Sequence, residues 1–532
     1  MSRDRQTLVQ LQLAAHDLLD KLTAVVDLVA ALRAGLLDPR WLRRKPLGGN
    51  LDETLALVSM AYENTDDFTT RSVSCRDGRR AVLAFLSGTV NEKVLDRSVI
   101  QPLKSGGDVQ ALFARLHRAQ PTETLLTMGD VVERIAAGKA VFWVEDEPRA
   151  LAVKVARFSK RSVNRAGNER VIRGPKDGFT EDLDTNISLV RRRIRSPHLK
   201  FVALKVGDFS RTEVRVAYIE GIARASLVEE IVRRIRRIRI DGVLDSAQIE
   251  EFVEDNPWSI FRQSVWTERP DTAVGGLLEG RVAILVDNTP TALVVPSTFW
   301  QIIQSAEDYY ESWFAASALR YLRFFFLFAA LLLPATYVAV TTFHQSMLPP
   351  TLLLTLANAR ERVPFPAMIE ALIIELSFEI LREAAIRVPQ YLTQAVSIVG
   401  ALVIGSAAIQ ASIASAPMVI VVAMTGIANF ALPHFNQALA VRVLRFPLVV
   451  LAGILGFYGL ILGLLVILVH AAGLRSFGTP FLQPAAPLRW RNVGDFMGRL
   501  PWFAQPYRTP SAETNPVREA PGQQPQPPRV AP

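Results

Sequence analysis

From Phe324 to Phe343 the chain carries no charged residue, and this run limits what the rest can become. About 20 apolar residues, each rising 1.5 Å along a helix, cross a hydrocarbon core of about 30 Å. A core helix of a large soluble protein is the alternative, but Ala395–Ala416, Met418–Phe435 and Phe446–His470 are further apolar runs of similar kind. Charges crowd into positions 1–295 and nearly vanish from those runs. The expected fold class is an α/β cytoplasmic domain of two related subdomains, followed by an α-helical polytopic membrane domain.

The 532 residues carry a formal charge of +9. Arg320 and Arg323 sit just before the first apolar run, where arginine marks the cytoplasmic side. No nucleic-acid motif accompanies the positive charge. Cys75 is the lone cysteine, so the chain forms no internal disulfide, which suits a reducing compartment. Arg3, Asp4, Arg5 and Asp17 interrupt any signal-peptide core, so the amino-terminal half is expected to stay in the cytoplasm. The 6 histidines are scattered without metal-ligand spacing. Gly106-Gly107 and Gly275-Gly276 lack the company of a phosphate-binding motif. Neither an enzyme activity nor a cofactor or metal is expected.

Residues 6–35 read as a helix, and residues 1–65 as a helical extension with its linker. A weak internal repeat follows. Ala81–Leu86 and Val214–Ile219 read as strands, each closed by a glycine and followed by a helix. Each half then carries a helix, a glycine and a hairpin: Ala140–Val144 with Ala150–Val155, and Val282–Val286 with Ala292–Val295. These assign one subdomain to 66–158 and another to 201–310, unless the likeness is a coincidence of common motifs. The linker 159–200 ends in Arg191, Arg192, Arg193 and Arg195, which suit contact with a partner subunit or anionic lipid. The competing reading is a solvated helix face paired with Glu181, Asp182 and Asp184.

The membrane domain is expected over 320–475, with four or five helices, before a Pro-rich and largely disordered tail over 476–532. Ala367–Val388 is mostly apolar yet holds Glu375, Glu379, Arg382 and Glu383 at three and four spacing. Such acids either face a bundle interior or an aqueous pathway, or lie in headgroups on an interfacial helix. Along the small-residue run Ala395–Ala416, Ser397, Ile404 and Ala408 recur at seven and four spacing. Together with Glu375 and Glu379 they are the candidate pore-lining residues of an oligomer. The bland alternative is that these helices only pack, and that the acids pair with Arg382 and Arg387.

Several ordered blocks resemble the A subunit of the nutrient germinant receptors of spore-forming bacteria, the GerA type. They include Ile172–Asp182, Asn186–Arg193, Asp241–Ser246, Thr267–Asp271, Leu278–Asp287, Pro296–Trp300, Glu307–Tyr310, Val363–Pro366 and Leu474–Gly478. The resemblance runs from about Asp66 to Pro487. Arg362 stands where the family pattern has glycine. The resemblance implies a subunit in the inner membrane of the spore, alongside a transporter-like B subunit that senses the nutrient and a lipoprotein C subunit. It implies an oligomeric, ion-conducting role. A non-conducting scaffold and a family paralogue linked to dipicolinic acid release are the alternatives.

Overall fold

The computed structural model describes residues 38–48, 50–75, 78–105, 122–155, 165–387, 405–489, 494–508 and 515–518. The expected helix at 6–35, Ser397, Ile404 and the end of the tail lie outside the described residues. The chain forms two compact units, residues 1–162 with 184–203, and residues 163–183 with 204–532.

In the first unit, Asn50 caps helix α1 (Leu51–Ala61) by accepting from the Asp52 and Glu53 amides. Strands β1 (Phe68–Ser74), β2 (Arg80–Leu86) and β3 (Thr122–Leu125) precede helix α2 (Met128–Ala136). Strands β4 (Ala140–Val144) and β5 (Ala150–Val153) form the expected hairpin. All pairs are antiparallel, and the order is β1-β2-β4-β5-β3. Val82, Val141 and Trp143 pack with Val58, Val131 and Ile135 on one face. Leu83, Phe85 and Phe142 pack with Leu95 and Val99 on the other. A sheet covered on both faces explains why β2, β4 and β5 are continuous apolar runs rather than alternating ones.

Helix α3 (Leu183–Arg193) carries the arginine cluster. Arg191 points inward rather than toward a subunit or lipid. It is 2% exposed, and its fork meets Asp67 at 2.9 and 2.7 Å. Thr65 and the Phe201 ring complete its surroundings. Desolvating a guanidinium is tolerable only with such bidentate pairing. Arg192 and Arg195 remain exposed, and half-buried Arg193 donates to the Leu189 carbonyl.

The second sheet contains β6 (Leu199–Val206), β7 (Thr212–Ile219), β8 (Val265–Thr267), β9 (Val282–Val286) and β10 (Ala292–Val295). Its order, β6-β7-β9-β10-β8, repeats the first position by position. Helices α4 (Ala225–Arg237), α5 (Ser246–Val253) and α6 (Pro270–Leu278) pack around it. The repeat extends to the backbone. Gly88 and Gly221 take φ of 84° and 82° after equivalent strands, a left-handed geometry that favours glycine. The likeness read from the sequence is a structural repeat.

Five further α-helices follow among the described residues: α7 (Trp313–Thr342), α8 (Pro350–Arg360), α9 (Ala367–Arg387), α10 (Ala416–Phe430) and α11 (Phe435–Gly473). Among the described residues two stretches, Trp313–Thr342 and Ala438–Gly473, are long and apolar enough to cross a membrane. Ile454, Tyr458, Ile461, Val466 and Val469 stand exposed, which water would not favour and hydrocarbon would. In α9 the polarity is inverted: Ala371 and Ile374 join Val338, Met418 and Ala452 in an apolar cluster, and Glu370 and Glu375 are fully buried. Leu376 and Ile380 face outward. The interfacial alternative for this helix, with its acids in water, does not match that packing.

The last apolar run is not one straight helix. Gly456 takes φ 62° and ψ −142°, and the chain doubles back there. Ala440 and Ala471 consequently share one cluster with Phe261 and Phe481. A Cβ built on Gly463 would lie 2.5 Å from Leu448 Cδ2, although a straight helix would separate these positions by about 22 Å. The reversal sits beside Phe343 and His344, at the end of α7. Both limbs, of about 31 and 25 Å, therefore run between one end of the bundle and the other.

The tail joins this unit rather than leaving it. Phe481 packs on Phe261 and Phe299, and Arg499 is 4% exposed. The expectation of an unpacked tail from 476 thus differs from the structure for the described residues up to 508.

Two outcomes follow from this packing. Arg191→Leu, which strands the Asp67 carboxylate, should cost about 3–5 kcal/mol, read as faster proteolysis of the first unit in the full chain. Adding Asp67→Leu should restore most of that protection. In a Cys75→Ser background, cysteines at Leu448 and Gly463 should be bridged by a short thiol crosslinker; failure to bridge would show a straight helix.

Candidate functional site

Glu375 and Glu379 of α9 are four residues apart, which puts them on one side of the helix, whereas Glu370, five residues before Glu375, lies on another. At the start of the helix, Glu370 accepts from the Ser415 amide at 2.6 Å and from the Ser415 hydroxyl at 2.5 Å. Ser415 immediately precedes α10, so the carboxylate sits at that helix's positive end. Arg360 Nε approaches its other oxygen at 3.4 Å.

One turn on, Glu375 lies 2.9 Å from Arg445 Nε, with both side chains almost wholly buried. The pair is close without the alignment of a hydrogen bond. Glu379 meets Arg442 at 3.2 Å and Arg445 at 3.3 Å. Arg445 thus bridges two carboxylates, and two acids face two arginines across α9 and α11. Away from water an unpaired charge is expensive, so removing one member leaves its partner costly.

The sequence-expected pore residues do not all come together. Glu375 and Glu379 share this quartet, whereas Ala408 is 8% exposed inside the apolar cluster with Ala414 and Met418. The partners of the acids were missed. They are Arg442 and Arg445 of α11, not the Arg382 and Arg387 of the packing alternative. Their own three-residue spacing, matched to the four-residue spacing of the acids, was the available signal.

A second charged cluster lies at the start of α7. Asp308, 1% exposed, receives Arg320 and Arg323 at 2.7 Å each. Arg320 also reaches Asp495 at 2.7 Å, and Tyr309 donates to the same carboxylate at 2.7 Å. Burial, with the Asp495 charge beside it, pushes the Tyr309 hydroxyl above the usual phenol range. Burial pulls Arg499 below its ordinary value, although it donates to the Asp308 and Glu311 carbonyls. The two arginines read as markers of membrane side are therefore also structural ties. Among the described residues no group of three or more His, Cys, Asp or Glu could hold a metal ion.

The family model described as Bacillus/Clostridium GerA spore germination protein matches residues 56–511. An uncharacterized membrane protein of Bacillus subtilis (strain 168), YfkQ, is 42% identical over 471 residues, covering 87% of this chain and 91% of that one. The spore germination protein KA of the same organism is 40% identical over 490 residues, 90% of each chain. Spore germination protein GerLA of Bacillus cereus is 37% identical over 462 residues, 86% of this chain and 94% of the relative. A solved structure, the N-terminal domain of the A subunit of the Bacillus megaterium spore germinant receptor GerK3, aligns at 28% identity and a TM-score of 0.38, covering 47% of this chain and 96% of that one. The chain belongs to the GerA spore germination protein family.

Proposed function

We propose that this chain is the ion-conducting subunit of a spore germinant receptor, lying in the inner membrane of the spore with its α/β part in the cytoplasm. It assembles with further copies of itself and works with a transporter-like B subunit and a lipoprotein C subunit. Nutrient sensing opens the pathway and starts germination. The observation that supports this most is the bridge from Arg445 to Glu375 and Glu379 inside the helical bundle. While α9 and α11 stay together, the arginines neutralise the acids. Separation of the two helices would turn the carboxylates toward a passing cation. Ser397, Ile404 and Ala408 complete the proposed pore lining.

The burial of Ala408 among apolar side chains favours a second reading, a scaffold that organises the sensor without conducting. The family paralogue linked to dipicolinic acid release stays within the same membrane assignment. Substitutions separate conduction from packing. Ala408→Asp should leave cells leaky to monovalent cations before dormancy if it lines a gate; lowered abundance without a leak supports the scaffold. Glu375→Gln should slow nutrient-triggered cation release roughly tenfold, equivalent to about 1.4 kcal/mol, at unchanged chain abundance. Normal release from an abundant, assembled Glu375→Gln complex rules out a conducting role for that carboxylate.

A further inference from the structure

The last turn of α10, the first turn of α11 and the loop at Asn168 enclose a cavity of about 330 Å³ within the second unit. Four arginines line it: Arg170, Arg269, Arg323 and Arg382. Glu169 is the one acid among the described lining residues. Its oxygens are committed to the Thr267 hydroxyl at 2.6 Å, the Glu268 amide at 2.9 Å and His434 at 3.5 Å. Burial opposes its charge, but these partners outweigh that and hold the carboxyl below the usual carboxylate range. Asp271 and Asp308 lie 2.6 and 2.7 Å from Arg269 and Arg323. The wall remains basic. Arg382 is braced over the Phe430 ring, 4.7 Å from its centroid, and Arg170 is exposed.

A second observation concerns Asn429. It is 3% exposed and lines the cavity, yet neither its amide nitrogen nor its oxygen has a partner among the described residues. The Arg269 Nε is likewise buried and unpartnered. Native proteins seldom leave such groups unsatisfied, because each forfeits its hydration. These donors beside a basic wall suit an oxyanion.

The apolar side of the cavity indicates what carries that anion. Ile420, Met424, Ile427 and Phe430 are each more than half exposed and recur at three or four residues along α10. They form a stripe ending at the cavity wall, where Phe430 supports Arg382. A free phosphate makes no use of such a stripe, whereas acyl chains do. Basic pockets between membrane helices suit anionic headgroups.

We propose that the second unit holds an anionic phospholipid, its phosphate diester received by Arg382, Arg170 and the Asn429 amide and its acyl chains laid along α10. The proposal rests on the membrane reading above. The full chain, purified in detergent, is offered equal amounts of phosphatidylglycerol and phosphatidylcholine, and retained lipid is counted by native mass spectrometry. Phosphatidylglycerol should be retained selectively. Arg170→Gln should weaken that retention about fivefold, and Arg382→Gln should weaken it further. Arg170 is an exposed residue hydrogen-bonded to the Gly167 carbonyl, so its variant keeps the test open if Arg382→Gln misfolds.

Equal retention of the two lipids, or unchanged selectivity in Arg170→Gln, overturns the proposal. Displacement of the lipid by millimolar inorganic phosphate overturns it in favour of a small-anion site. Crosslinking of two copies through a cysteine at Ile427, with no lipid retained, overturns it in favour of a chain–chain surface. Extraction by alkaline carbonate is scored separately. Lost selectivity in a chain that resists extraction sinks the lipid site alone; release without detergent sinks the membrane reading beneath it.

Discussion

A charge taken out of water must be given a partner, and Asp308 meets that requirement for the beginning of the helical bundle. Its two oxygens accept from Arg320 and Arg323, three residues apart in α7. Arg320 reaches on to Asp495, and Arg499 closes over the Asp308 carbonyl. One carboxylate thus ties the loop after the second sheet to the first long helix, and its arginines and carbonyl bring in the tail. Breaking it would leave two guanidinium groups poorly compensated where water has little access. The position of α7, and of every helix packed on it, depends on that junction.

The same constraint explains the interior of the bundle. Glu370, Glu375 and Glu379 would be intolerable on a helix facing hydrocarbon, so α9 turns them inward and presents Leu376 and Ile380 outward. Their partners come from Ser415, Arg442 and Arg445, on segments brought together by chain reversals. The reversal at Gly456 is decisive, because it places both ends of α11 on the side where the tail and the Asp308 junction lie. The pairing of Glu375 and Glu379 with Arg442 and Arg445 joins α9 to α11.

The sequence made the interior of each sheet legible and the margins illegible. Strands β4, β5, β9 and β10, and β2 after Arg80, are buried on both faces, so their residues are apolar without interruption, whereas β7 alternates, with Glu213 and Arg215 on its more open side. The unrecognised strands β1, β3, β6 and β8 are the edge strands of the two sheets. β1 (Phe68–Ser74) and β3 (Thr122–Leu125) are partly exposed and rich in Thr, Ser and charge, and β8 has three residues. At the bundle, the spacing of Glu375 and Glu379 marked a polar helix side, but their arginines stand more than 60 positions away. No local pattern announces such a meeting. Arg191 was misread for a related reason, since its partner Asp67 lies 124 positions earlier.

Helix α7 leads away from the Asp308 junction, and the tail returns to it. The direct measurement is labelling of single cysteines by an impermeant maleimide in sealed vesicles of each orientation, in a Cys75→Ser background. One cysteine replaces Ser346, exposed just beyond α7, and the other replaces Trp502, which packs on Tyr309 beside the junction. With this arrangement the two positions should react from opposite faces of the membrane. Reaction of both from the same face would contradict it.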